Sequence, residues 1–425
     1  MKRTIESITA WEVLDSRGRP TVAVQVELSD GTVAQAQVPS GASTGVHEAW
    51  ELRDGGERYA GKGVWRAVEH VRQEIAGAVR GRDAEDQAGL DRALIALDGA
   101  ANKSRLGANA ILGVSCAVAR AAAGKMPLWE RLAAGRPACL PVPMINILSG
   151  GHHAGHNIEF QDFLVIPHGF ETYSEALRAA VDIHAAAHAV LEERGVVLTG
   201  VADEGGWGPK LGSNGEALEV LTEAIGRAGY KPLDQVAIAM DVASSHFYEQ
   251  GEYRLQTERR TLDAEGMIAQ LKDWCGRFPV ISIEDGLAED DWEHWPRLTR
   301  ELGGHAQIIG DDFLTTNPAR VRRAIDARAA NAVLVKMNQI GTLTETFEVI
   351  DMARSAGWRA VISARSGETE DSFLADLAVA SGMGQIKVGS ITRSERLAKY
   401  NRLLELEMKG KLSFPGSAIF SHGPN

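Results

Sequence analysis

From Val280 to Lys336 the chain reads VISIEDGLAEDDWEHWPRLTRELGGHAQIIGDDFLTTNPARVRRAIDARAANAVLVK, and its rhythm decides the fold. Three short apolar runs, Val280–Ile283, Gln307–Ile309 and Ala332–Val335, each end at charged residues and are separated by helical stretches. Their apolarity is continuous rather than alternating, which marks strands buried on both faces, as parallel sheets require. The same unit recurs on either side, as Val142–Leu148, Phe163–Ile166 and Val236–Met240 before it and Arg359–Ser363 and Gln385–Val388 after it. Eight such runs predict an α/β fold closed into a TIM-like barrel, with a doubly wound sheet as the alternative.

A barrel of roughly 250 to 300 residues leaves room for a smaller domain in a 425-residue chain. Arg136–Pro143 carries three prolines in eight residues and predicts the junction, giving domains over 1–136 and 137–425. Within the first, Thr21–Leu28 and Thr32–Val38 alternate around the turn Ser29-Asp30-Gly31 and predict a hairpin. Ser40–Gly45 is a loop of small residues. Gly63 to about Ala123 is helical in pattern, with Ala108–Ala123 apolar enough for a buried helix.

A net charge of −12 argues against a general binder of nucleic-acid backbones, though not against a small anion in a locally positive cleft. Cys116, Cys139 and Cys275 form no CxxC pair, so neither a disulfide framework nor a zinc–thiolate centre is expected. Lys2, Arg3, Glu6, Glu12 and Asp15 leave no apolar signal core, and no uncharged run approaches the roughly 18 residues of a membrane span. A cytoplasmic protein without membrane contact is the expectation.

Chemistry in such barrels sits at the carboxyl ends of the strands. Here those ends carry Asp241, Glu284-Asp285, Asp311-Asp312, Lys336, Arg365-Ser366 and Lys387. One acidic strand end is usually just solvated or capping a helix. Three that converge repel one another unless a cation neutralises them, and oxygen donors without cysteine or histidine favour Mg²⁺. A lysine beside such a cation has its pKa lowered and suits a base for a proton next to a carboxylate, the role predicted for Lys336. Arg365 and Lys387 together suit a carboxylate or phosphate. The loop Val201–Pro209 contains Asp203 and Glu204 and is either a plain turn or the carrier of an acid facing the lysine across the substrate.

In order along the chain stand DSRGRPTV, PSGASTG, KSRLGANAILGVS, PVPMINILSGG, DEGG, SIEDG, GDD, NQIGTLTET and SARSGETED. With these motifs the chain resembles the enolase family over essentially its whole length. The resemblance implies an N-terminal α+β domain, a barrel with irregular first strands, a homodimer or larger assembly, and interconversion of 2-phosphoglycerate and phosphoenolpyruvate. It also implies two Mg²⁺ per site, the tighter held by Asp241, Glu284 and Asp311, and the second with help from Ser43. By the same resemblance Lys336 takes the proton from carbon 2 and Glu204 assists loss of the hydroxyl. Lys387 contacts the carboxylate side. Arg365, Ser366 and His153 face the phosphate, and Gly41 and Ala42 belong to the closing loop.

Two positions depart from the family pattern inside the site. Ala364 stands where SHRSGETED has histidine, and Asp162 stands where the family has glutamate before Phe163. Trp207-Gly208 and Ser245-His246 are further departures, and His152 is an extra neighbour of His153. Because these changes gather at the phosphate end, a specialised paralogue acting on a phosphonate carboxylate is a second expectation. The carboxyphosphonoenolpyruvate synthase of phosphinothricin-type biosynthesis is the example. A non-catalytic enolase-like binding protein is the alternative from another class, against which Lys336, Glu204 and the three acids all remain.

Overall fold

In the computed structural model, which describes residues 3–41 and 45–420, the chain opens with an antiparallel meander. Its strands are β1 (Ile5–Leu14), β2 (Pro20–Leu28) and β3 (Val33–Gln37). The expected hairpin is β2–β3. The additional strand β1 has no clean alternation, since Glu6, Thr9 and Leu14 are exposed while Ile5 and Ala10 are buried. The helix Ala108–Ala123 is buried on nearly every side, as its composition predicts, and lies across β2 and β3. A Cβ on Gly113 would stand 2.6 Å from Val24 Cγ2, so glycine sets how closely helix and sheet approach. The rest of the helical region is broken into Trp65–His70, a π turn over Val71–Ile75, Ala76–Val79 and Gln87–Asp98.

All eight apolar runs are strands, and they close into one barrel rather than a doubly wound sheet. The first three are β4 (Val142–Ser149), β5 (Asp162–Ile166) and β6 (Ala237–Asp241). A small antiparallel sheet follows, β7 (Tyr248–Glu249), β8 (Glu252–Leu255) and β9 (Arg260–Leu262). The barrel then resumes with β10 (Val280–Glu284), β11 (Gln307–Gly310), β12 (Ala332–Val335), β13 (Arg359–Ser363) and β14 (Gln385–Gly389), which closes on β4. Val142, Met144, Leu164, Ala239, Leu334 and Val361 fill the interior while intervening residues pack outward under the helices, so both faces are buried.

One expectation is corrected. β5 runs antiparallel to both of its neighbours, β4 and β6, so the sheet is not wholly parallel. Continuous apolarity reports burial on two faces and carries no information about direction. The reversal has a consequence for the site: the first residue of β5, not its last, lies at the rim where the other strands end. Among the described residues no helix is long and apolar enough to cross a membrane.

Candidate active site

Register places three carboxylates side by side. Asp162 pairs with Asp241 across β5 and β6, and Asp241 pairs with Glu284 across β6 and β10. Asp311 comes next, immediately after β11, and its position is set by a residue that sequence reasoning treated only as a neighbour. Asp285, with a left-handed φ of 45°, accepts hydrogen bonds from the Asp311 and Asp312 backbone N–H groups at 2.9 and 2.8 Å.

Two lysines enter the same mouth from β14 and the end of β12. Lys387 Nζ donates to Asp241 Oδ2 at 2.7 Å and to both Glu284 oxygens at 2.9 and 2.8 Å. Lys336 Nζ donates to Asp311 Oδ2, whose other oxygen accepts from Gln339 Nε2 at 2.9 Å. All five charged groups are buried or nearly so. Burial disfavours the Lys387 ammonium, but Asp241 and Glu284 outweigh it and hold the lysine well above its ordinary range. Glu284 is pushed up by burial and by Asp241, against the pull of Lys387. With every group ionised, three carboxylates against two ammoniums would leave the set one charge negative. Burial lowers Lys336, but Asp311 stands against its ammonium and raises it above its ordinary value.

The Arg365 end of the pocket is assembled from distant segments. Arg365 makes a bidentate pair with Glu48 at 2.9 and 3.1 Å, with both side chains almost wholly buried, and also donates to Asn338 Oδ1 at 3.0 Å. Glu48 escaped the sequence reading, although its place in the stretch after the SGASTG loop was the available signal. Ser366 is held through its backbone carbonyl by Ser16 Oγ at 3.1 Å and Arg396 at 2.6 Å, and Arg17 reaches its hydroxyl at 3.4 Å. The DSR motif at 15–17 is therefore part of this scaffold. Arg17 also donates to the Ser40 and Gly41 carbonyls at 3.2 and 3.1 Å, which ties the start of the closing loop to Ser366. Ala42 and Ser43 lie outside the described residues.

Asp162 turns toward His153, whose Nδ1 stands 2.9 Å from Asp162 Oδ2, while Asn146 and Ser149 donate to Oδ1. Burial opposes charge on His153, yet Asp162 and then Glu204 raise it to about 9, so it is a cation at neutral pH. Its Nε2 lies 3.8 Å from Glu204 Oε1. Burial raises the Glu204 carboxyl, but His153 first, then Arg396, Lys387 and Lys336, pull it below its ordinary value. The loop beneath Glu204 needs its glycines. Gly205 has a φ of 91°, and a Cβ there would lie 2.4 Å from Thr392 Oγ1. Trp207 anchors the loop by stacking on His184, with ring centroids 4.5 Å apart, and by donating Nε1–H to the His184 carbonyl at 2.9 Å.

His153, Glu204, Asp241, Lys336, Arg365 and Lys387 line one pocket, with Gln161, Ala364 and Ser366. In this state it holds about 20 Å³, room for a single water. The oxygen-only donors and unbalanced charge of Asp241, Glu284 and Asp311 fit a hard divalent cation. Among the described residues, ligand atoms within 4.8 Å of one another occur in two sets, neither of them this one: Asp285 with Asp311 and Asp312, and His153 with Asp162 and Glu204. In the first, Asp285 is spent on backbone N–H groups; in the second, His153 is already paired with Asp162. The Asp241, Glu284 and Asp311 set is engaged by the two ammoniums instead.

Comparison with known proteins agrees with this geometry. The model of the enolase N-terminal domain matches residues 5–132, and that of the enolase C-terminal TIM barrel domain matches residues 137–420. A curated enolase from Rubrobacter xylanophilus is 53% identical over 422 residues, covering 98% of each chain. The chain belongs to the enolase family and is an enzyme of the hydro-lyase kind.

Proposed function

We propose that this enzyme interconverts 2-phosphoglycerate and phosphoenolpyruvate, with Lys336 as the base and Glu204 on the acid side. The observation that carries the reading is the single pocket shared by Lys336, Glu204, Lys387 and Arg365. Arg365, His153 and Ser366 receive the phosphate, two of them as buried cations. Lys387 faces the substrate carboxylate. As the neutral amine, Lys336 Nζ takes the proton from carbon 2, and a proton from the His153–Glu204 pair accompanies the departing hydroxyl, which leaves as water. Asp241, Glu284 and Asp311 would hold one Mg²⁺ and Ser43 would help with a second; the bound ions supply positive charge against the carboxylate as negative charge builds on it.

The division into a cap over 1–136 and a catalytic barrel over 137–425 belongs to this reading and is supported by the limits of the two family matches. A cytoplasmic location and a homodimer or larger assembly are carried by the family alone. A second reading, the phosphonate-handling paralogue, is favoured by Ala364, which lines the anion end of the pocket where the family pattern has histidine. The test is the absorbance of phosphoenolpyruvate formed from 2-phosphoglycerate by the purified protein with Mg²⁺. Formation of phosphoenolpyruvate is expected. No elimination, with exchange of the carbon-2 proton retained, would favour the second reading instead.

A further inference from the structure

Beside the pocket, three histidines outside the catalytic set meet ring to ring. His152 belongs to the turn Gly151–Ala154, His156 follows it at a φ of 60°, and His246 lies in the turn Ser244–Phe247 just after β6. The His152 ring stands 4.6 Å from that of His156 and 4.2 Å from that of His246, edge to face in both cases. His152 and His156 are exposed, and His156 and His246 line an open groove of about 820 Å³. Among the described residues none of the three rings makes a hydrogen bond or ion pair, and His246 Nδ1 is buried without a partner. By contrast, the rings of His47, His70, His153, His168 and His294 each hold a carboxylate or carbonyl.

We propose that His152, His156 and His246 form a binding site for a borderline divalent transition-metal cation, represented by Zn²⁺, at the rim of the barrel mouth. Neutral imidazole is the donor that such ions prefer, whereas Mg²⁺ prefers the oxygens of the carboxylate centre, so the two sites select different metals. The His152 and His246 rings favour the neutral form that a ligand needs. Burial and the neighbouring histidines lower His152, and burial together with His152 lowers His246 to about 4. Binding requires the two exposed imidazoles to turn their nitrogens onto the ion that His246 receives. A bound ion would join the loop carrying His153 to the turn that follows Asp241.

The test is calorimetric titration of Zn²⁺ into the protein held in excess Mg²⁺. One zinc per chain is expected, with affinity at least about tenfold weaker in His152→Asn and in His246→Asn and unchanged in His188→Asn. Copper-loaded protein should also show nitrogen hyperfine coupling in its electron paramagnetic resonance spectrum that diminishes in His246→Asn. Identical zinc isotherms for the parent and both cluster variants, or a copper spectrum indifferent to His246→Asn, would overturn the proposal.

Discussion

At one end of the pocket Asp162, Asp241 and Glu284 stand side by side on three hydrogen-bonded strands. At the other end Arg365 and Ser366 sit on a connection and depend on Ser16, Arg17, Glu48 and Arg396 from elsewhere in the chain. The first arrangement is fixed by register, because slipping a strand by one residue would turn each acid away from the mouth. The second is fixed by long-range ion pairs and hydrogen bonds. Of the two departures from the family pattern, Ala364 lies at the contact-built end. Asp162 sits on the rigid row but turns its side chain toward His153. The row of acids is thus held by the backbone, while the Arg365 end, proposed to receive the phosphate, can be retuned by side chains.

Breaking the rigid end should have the largest effect. Lys336→Ala is expected to reduce turnover by roughly 10²- to 10⁴-fold in a steady-state assay while leaving Mg²⁺ binding in place. A loss below tenfold would remove Lys336 from the base role. At the other end, Glu48→Gln leaves the buried Arg365 charge without its carboxylate. We expect about 3 kcal/mol lower stability in denaturant titration. Saturating inorganic phosphate should restore much of it by taking the carboxylate's place, and equal stabilisation of variant and parent by phosphate would contradict that.

A third prediction concerns the loop that carries Glu204. Burial lowers His184 to about 4, below its ordinary 6.5, so the folded state prefers the neutral ring. That contribution is complete above about pH 6.5 and is lost as pH falls toward 4, amounting to about 2 kcal/mol by pH 5. Stability of His184→Asn should lack this part of the acid slope, and an unchanged slope would assign it elsewhere. The smallest effect is expected from retuning the anion end. Ala364→His combined with Asp162→Glu should raise turnover of 2-phosphoglycerate about tenfold, or 1.4 kcal/mol in the barrier. No gain would show that these positions do not set the substrate.

What was legible in the sequence follows the same division. Strand-end acids and lysines announce themselves because continuous apolar runs break off at them, and Asp241, Glu284, Asp311, Lys336 and Lys387 were all placed in one mouth on that basis. The direction of β5 was not legible, since two-sided burial looks alike in either direction. Nor was β1, whose partial exposure blurs its alternation. Glu48 and Arg396, and the positioning role of Asp285, escaped for a different reason. Each acts through a contact across tens to hundreds of residues, such as the 317-residue separation between Glu48 and Arg365, and no local pattern encodes that. His153 and Asp162 were both singled out, but their pairing, which keeps the histidine charged, emerges only where the loop after β4 meets the start of β5.

The central claim is that Lys336 and Glu204 perform separate steps from separate sides of one pocket. Nuclear magnetic resonance of 2-phosphoglycerate in deuterated water with Mg²⁺ tests it directly, using Glu204→Gln and Lys336→Ala. The account predicts that Glu204→Gln still exchanges the carbon-2 proton without forming phosphoenolpyruvate, and that Lys336→Ala exchanges nothing. Exchange at the parent rate in Lys336→Ala would contradict it.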